Sequence, residues 1–388
     1  MNMPSVAPRG FVGVTARLGL KDDGDDFAAV VSEVPCASAA VFTRSRFAGP
    51  SVLLSRADAP AGSSRGMVVI SKNANVATGA AGERDAVEVR STVAAAAGVA
   101  AEELVIASTG VIGRPYPMDV VRTGLAALPR PFPAADLGAA AAAIMTTDTH
   151  AKQCTVRVGD AVITGIAKGV GMIEPNMATL LTFFFTDAEV PAAELDTVFR
   201  RVVDRTFNAL SIDTDTSTSD TAAVFANGLA GAVDPEAFEQ ALYRCALTLV
   251  RDIASDGEGA SKLIEVRVTG ALDAAQAKRA GKAVVNSPLV KTAVHGADPN
   301  WGRVVMAIGK LDSPADDRIT PDTVTVRFGD VTLYPGGSAQ ELLDAAAAHL
   351  SGAEVVIHVD LGLGEAEFTV YGCDLTEGYV KINADYTT

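Results

Sequence analysis

Residues 168–185, Lys-Gly-Val-Gly-Met-Ile-Glu-Pro-Asn-Met-Ala-Thr-Leu-Leu-Thr-Phe-Phe-Phe, constrain this chain more than any other stretch. A glycine-rich turn runs through Pro175 straight into an apolar run at 180–185 that reads as a buried strand. That run is interrupted by Thr182 and falls far short of the ~18 apolar residues that span a bilayer. Other strand-like runs alternate with helical ones: 67–71 and 104–107 read as short buried strands, and alanine-rich 134–144 as a helix. The alternation predicts an α/β core.

Two amphipathic helices are signalled more fully. Pro191 opens a segment with Leu195, Val198, Phe199, Val202 and Val203 at the spacing of one helix face. Asp234 can cap a second helix with Pro235 in its first turn. Its stripe is Phe238, Leu242, Cys245, Leu249 and Ile253, and it should end near Asp256-Gly257. Beyond Gly270 the pattern becomes strands: 323–328 and 331–334 flank Gly329-Asp330 as a hairpin, followed by 355–361 and 367–372. These place a boundary near 275, between a catalytic unit 1–275 and a smaller C-terminal unit 276–388.

Composition narrows the function. With 48% apolar and 20% charged residues the chain has ample material for a core. Its 47 acidic against 32 basic residues give a net charge of −15, which disfavours nucleic acid and anionic membrane as partners. Pro4, Pro8 and Arg9 break the stretch where a secretory leader would need an apolar core, so a cytoplasmic location is expected. Cys36, Cys154, Cys245 and Cys373 form no Cys-x-x-Cys pair and read as reduced, buried thiols. His150, His295, His349 and His358 show no ligand spacing, so no metal is expected.

Thr179 stands where the turn meets the strand. Its β-branched side chain suits the first residue of a strand. The alternative is that the peptide before it is scissile. Small Ala178 leaves room for the Thr179 hydroxyl to reach the preceding carbonyl, and cleavage would free an α-amine. With a pKa of about 7.7–8.0, roughly a third of such amines are neutral base near pH 7.5, against about one lysine in a thousand. The amine then serves as general base for its own hydroxyl.

Acyl transfer also needs donors for an oxyanion. The strand at 104–107 leads into Ser-Thr-Gly-Val-Ile-Gly at 108–113, where Gly110 can present a bare N–H or simply close a turn. The tract Asp-Thr-Asp-Thr-Ser-Thr-Ser-Asp at 213–220 fails the calcium-loop template, with Thr218 and Val224 where Gly and Glu are required, and suits a hydrogen-bonded supporting loop. Gly-Ser-Ser-Arg-Gly at 62–66 precedes a strand, the wrong context for a nucleophile elbow. Residues 256–262 follow a helix end, where Glu258 can hold an ammonium or merely lie in a glycine cap.

Together these stretches resemble the ornithine acetyltransferase family, of the ArgJ type, along nearly the whole chain. The carriers are 108–113, Thr-Thr-Asp-Thr at 146–149, Lys-Gly-Val-Gly-Met at 168–172, Pro-Asn-Met-Ala-Thr at 175–179 and the 213–220 tract. Asp-Gly-Glu-Gly-Ala at 256–260, His-Gly-Ala-Asp-Pro-Asn-Trp-Gly-Arg at 295–303 and the ending Asn-Ala-Asp-Tyr-Thr-Thr complete the set. The resemblance implies layered mixed β-sheets flanked by helices, a DmpA/ArgJ-like N-terminal-nucleophile fold, with a smaller C-terminal α/β domain closing the cleft. It implies self-cleavage between Ala178 and Thr179, Thr179 as nucleophile, and Thr109 and Gly110 as oxyanion hole. Substrate contacts would come from Thr146 or its neighbour Thr147, Lys168, Thr179, Glu258, Asn383 and Thr388. Lys168 would meet a substrate carboxylate and Glu258 an ammonium.

The implied reaction is a ping-pong transfer of acetyl from N-acetylornithine to glutamate, giving ornithine and N-acetylglutamate, with no cofactor. Acetyl-CoA is a further donor in some members, and an α₂β₂ assembly of the cleaved chains is implied. Two departures stand out: Ile70-Ser71-Lys72-Asn73-Ala74-Asn75 where members often read Asn-Ser-Gly-Asn-Ala-Asn, and Glu174 where His is common. Both resemble paralogues encoded with clavulanic-acid-type pathways. The other readings are a self-processing aminopeptidase, sharing the nucleophile but releasing free amino acids, and a non-catalytic amino-acid-binding protein.

Overall fold

The computed structural model describes residues 6–174 and 180–385. Its strands, in chain order, are β1 (Phe11–Ala16), β2 (Phe27–Ser32), β3 (Ala37–Phe42), β4 (Gly66–Ile70), β5 (Leu104–Ser108), β6 (Lys152–Val158) and β7 (Ala161–Lys168). There follow β8 (Leu181–Glu189), β9 (Thr221–Ala232), β10 (Leu263–Ala271), β11 (Thr325–Phe328), β12 (Val331–Tyr334), β13 (Glu354–Asp360) and β14 (Ala366–Cys373). The helices are α1 (Pro50–Asp58), α2 (Gly79–Ala97), α3 (Met118–Ala126), α4 (Leu137–Ala143), α5 (Ala192–Arg205) and α6 (Pro235–Ser255). The remainder are α7 (Ala274–Val285), α8 (Pro288–His295), α9 (Trp301–Ile308), α10 (Gln340–Leu350) and α11 (Glu377–Asp385).

The apolar run after residue 179 dictates the layering. In β8 every residue but Glu189 is buried, so both faces of the strand need cover. Phe183 and Phe185 face a first sheet of order β1-β2-β4-β5, with Phe185 stacked on Phe225 at 5.6 Å and edge-on to Phe11 at 5.3 Å. Phe184 points the other way, onto α5 and α6, 6.1 Å from Phe199. Each such ring contributes about 1.5–3 kcal/mol by leaving water. The second sheet, order β3-β9-β8-β7-β6, is thereby sandwiched between the first sheet and α5/α6. Helices α2 and α3 cover the far face of the first sheet. The result is four layers: helices, mixed sheet, mixed sheet, helices.

The strand after the glycine-rich turn begins at Leu181, and β4 and β5 of the first sheet lie where the short apolar runs predict them. The buried residues of α5 are the five that the spacing selects. In α6 the Asp234 carboxylate accepts from the Ala237 N–H at 2.8 Å and caps the helix as expected. The alanine-rich helix is shorter than the 134–144 composition suggests, because Asp136 caps it by accepting from Ala139 N–H and fixes its start at Leu137.

The third sheet, order β12-β11-β13-β10-β14, packs against α7, α8, α9 and α10. Its first strand in chain order starts at Leu263 and lies between β13 and β14, so a division at 275 separates an interior strand from its partners. Ser211 N–H donates to Tyr371 O at 2.8 Å and ties this sheet to the layered body. Among the described residues, no helix is long and apolar enough to cross a membrane. All four cysteines are buried free thiols. Burial pushes Cys36 and Cys373 up to about 11, which leaves them inert at neutral pH.

Candidate functional site

A cleft of about 400 Å³ opens at the ends of β5 and β7 and is closed on one side by α11. Thr109, Gly110, Thr146, Thr147, Lys168, Glu258 and Asn383, far apart in sequence, all line it.

The 109–111 turn is built by exclusion. Thr109 N–H donates to Ile70 O and Val111 N–H to Lys72 O, each at 3.1 Å. Gly110 sits at φ +128, and a Cβ there would lie 2.2 Å from the Lys72 carbonyl carbon. Only glycine fits so close to another backbone. With the Thr109 N–H already bonded, the donors this turn offers to the cleft are the Thr109 hydroxyl and the Gly110 N–H; the latter meets no acceptor among the described residues.

Thr146 and Thr147 are placed by a buried charge chain. Lys152, wholly buried, reaches Asp148 at 2.8 Å and Asp256 at 2.6 Å. Asp148 also accepts from Gly169 N–H at 2.7 Å and Thr146 N–H at 3.1 Å. Burial alone would raise the Asp148 carboxyl, but Lys168 and Lys152 outweigh it and hold the group below the usual carboxylate range. These bonds bring the 146–149 and 256–258 turns together. Glu258 links the second turn to the first and to α11: its Oε1 accepts from the Thr147 hydroxyl and its Oε2 from the Asn383 amide, both at 2.9 Å. A Cβ on Gly171 would fall 2.4 Å from Glu258 Oε2, so that glycine keeps the carboxylate in place. Of the two neighbouring threonines, it is Thr147 whose side chain meets Glu258.

Lys168 ends β7, and its Nζ donates to the Thr109 hydroxyl oxygen at 3.1 Å. Burial lowers its pKa, opposed by Asp148 and Asp220. A lysine and a carboxylate lining the same cleft suit a zwitterionic small molecule.

The 213–220 tract forms one wall, as a hydrogen-bonded support. Asp213 accepts from Met172 N–H at 2.6 Å and Ile173 N–H at 2.8 Å. Burial raises Asp213 against those bonds. Glu174, one of the two departures noted above, donates its N–H to Asp215 O at 3.0 Å, and its carboxylate pairs with Lys282 at 3.1 Å. The other, Lys72, contributes the backbone against which Gly110 packs. Ala178, Thr179 and Thr388 lie outside the described residues. The chain on either side of 175–179 is held by the tract and the strand after it: Glu174 by Asp215, and Leu180 through its carbonyl, which accepts from the N–H of Thr221, the first residue of β9, at 2.9 Å. The Gly-x-Ser-x-Gly stretch is no elbow, since Gly62 closes a short turn in the left-handed region and leads into β4.

Tyr379, which lines the cleft from α11, carries no signal in the sequence, and Asp220 is marked there only as the last residue of the supporting tract. Burial raises Asp220 well above the ordinary carboxylate range, and its Oδ2 meets no partner among the described residues. A raised acid is protonated in the fold where the unfolded chain has lost its proton, so its contribution to stability falls as pH rises above about 4, until the raised folded pKa is reached. Asp220→Asn mimics the protonated form. The variant is expected to melt at or above the wild-type temperature at pH 8, with any gain shrinking toward pH 4.5; calorimetric scans across that range measure it.

A groove of about 830 Å³ between β3, α1 and α5 contains none of these residues. Among the described residues no group of acidic, His or Cys side chains is arranged to hold a metal ion.

The layered α/β body and its small polar cleft define a class of protein that handles a compact charged metabolite. A model of the ArgJ family matches residues 13–388, and the chain belongs to that family. It is similar to the glutamate N-acetyltransferase Oat2 of Streptomyces clavuligerus, 62% identical over 387 residues and 98% of each chain. An arginine biosynthesis bifunctional protein ArgJ of Rhodococcoides fascians is 55% identical over 390 residues, covering 100% of this chain and 96% of the relative. A crystal structure of an ArgJ protein from Bacillus halodurans matches with a TM-score of 0.48 and 38% identity, over 52% of this chain and 96% of that one.

Proposed function

We propose that this protein moves an acetyl group from N-acetylornithine to glutamate through an ester on Thr179, after cleaving itself between Ala178 and Thr179. Family membership supports the reaction, and one observation supports the site: the described residues assigned by resemblance line a single cleft, whose wall residue Asp215 bonds Glu174 just before residues 175–179.

In the first half-reaction the Thr179 oxygen attacks the acetyl carbonyl while its α-amine takes the hydroxyl proton. The oxyanion that forms is met by the Thr109 hydroxyl and the Gly110 N–H. The C–N bond breaks, the proton passes to the departing amine, and ornithine leaves. The glutamate amine then attacks the ester carbonyl, the same donors hold the second oxyanion, and Thr179 regains its proton as N-acetylglutamate departs. Glu258 pairs with a substrate ammonium and Lys168 with a carboxylate. Thr146 or its neighbour Thr147, with Asn383 and Thr388, completes the contacts, and a trial of acetyl-CoA in place of N-acetylornithine reads whether it loads the same ester.

A C-terminal unit closes the cleft through α11, an α₂β₂ assembly of the cleaved chains follows, and the location is cytoplasmic. The deciding assay supplies N-acetylornithine and glutamate beside amino-acyl amides. Acetylglutamate formation with an acetylated 179–388 fragment by intact mass is expected. Release of free amino acids from the amides without acetyl transfer would instead make it an aminopeptidase, and an uncut chain that binds ornithine without turnover would make it a binding protein.

A further inference from the structure

The Lys168 contact has a directional meaning. An ammonium carries three N–H donors and no lone pair, so at 3.1 Å Lys168 Nζ must donate and the Thr109 oxygen must accept. A hydroxyl whose oxygen is engaged in this way keeps its proton for another partner. Both residues are nearly closed to solvent, with Thr109 8% and Lys168 9% exposed, and Thr109 lines the cleft. Lys168 is also fixed from behind. It pairs in register with Leu181 of β8, next to the segment that bears the nucleophile, and the charged Asp148 opposes its neutralisation.

We propose that Lys168 is a positioning residue of the oxyanion hole, turning the Thr109 proton into the cleft and polarising that hydroxyl as negative charge grows on the substrate oxygen. This rests on the acyl-transfer reading above and extends it. No proton leaves Lys168. Its charge acts one hydrogen bond away, and the burial of both side chains strengthens that bond. The remaining N–H donors stay available for a substrate carboxylate, so the two roles separate experimentally: carboxylate binding appears in KM, and positioning of Thr109 in kcat.

The test is a double-mutant cycle on Thr109→Val and Lys168→Met, measured as kcat and KM for acetyl transfer. Lys168→Met leaves Asp148 paired with Lys152, which favours retention of the fold. Should cleavage stall in a variant, residues 1–178 bearing the substitution are co-produced with residues 179–388 starting at Thr179, so that turnover is still read. Thr109→Val alone is expected to lower kcat by ~100-fold or more. Lys168→Met alone should lower kcat by roughly tenfold to a hundredfold, and by less than about threefold once Thr109 is valine. Lys168→Arg, which keeps a donor, should recover part of the loss. Multiplicative effects in the double variant, or a Lys168→Met loss confined to KM, would overturn the proposal. An unchanged kcat for Thr109→Val would instead remove Thr109 from the oxyanion hole and strike the underlying reading.

Discussion

Thr179→Ala protein is expected to purify as one uncut chain of 388 residues without acetyl transfer, whereas the unsubstituted protein yields fragments 1–178 and 179–388. The single oxygen removed serves twice. In the proposed mechanism it attacks the preceding carbonyl in the acyl shift that breaks the chain, and it later carries the acetyl group. Without scission there is no α-amine at residue 179, so the general base disappears with the nucleophile. The expected loss of turnover is on the order of 10⁴-fold or more, the scale seen when a nucleophile is deleted. Thr179→Ser keeps the hydroxyl and should still be cut. Intact-mass spectra of the three proteins read the outcome directly, and a cleaved Thr179→Ala chain sinks the mechanism.

Gly110→Ala is the second large effect. At φ +128 a side chain is strained, and the added methyl would stand 2.2 Å from the Lys72 carbonyl carbon and 2.4 Å from its oxygen. Backbone cannot rotate away as a flexible side chain would. The turn must shift, moving the Gly110 N–H and the Thr109 hydroxyl from their places. Strain and overpacking together cost on the order of 3 kcal/mol, visible in denaturant melts. Displacing the proposed oxyanion donor should lower kcat by about 100- to 1,000-fold in the fraction that still folds. Normal stability with normal kcat would show that the turn is neither crowded nor catalytic.

Local rules made much of this legible. The stripe Leu195, Val198, Phe199, Val202, Val203 selects the buried face of α5, and Asp234-Pro235 marks the start of α6, because helix period and capping are properties of a few adjacent residues. The helices beyond Gly270 are masked in the sequence by clear strand alternation, although Asp273 before α7 and Ser287-Pro288 at α8 carry capping signals. Convergence at the cleft is another matter. Nothing in the spacing of Thr147, Glu258 and Asn383 says that three bonded groups lie there; that depends on Lys152 drawing two distant acidic turns together. Family resemblance supplied the site residues that local chemistry left ambiguous. The raised Asp220 carboxyl could not be read at all, since its cause is the depth at which the fold buries it.

The strand order of the central sheet has a consequence for the life of the molecule. In β3-β9-β8-β7-β6, strands β3, β6 and β7 precede the proposed cut and β8 and β9 follow it, so the two pieces are woven through one another. Severing one peptide bond leaves that weave whole. It does change the return path: before the cut, folding is an event within one chain, and afterwards reassembly requires two chains to meet and depends on their concentration. The proposed scission would thus act as a ratchet, and a cleaved molecule that once came fully apart would be far less able to find its way back.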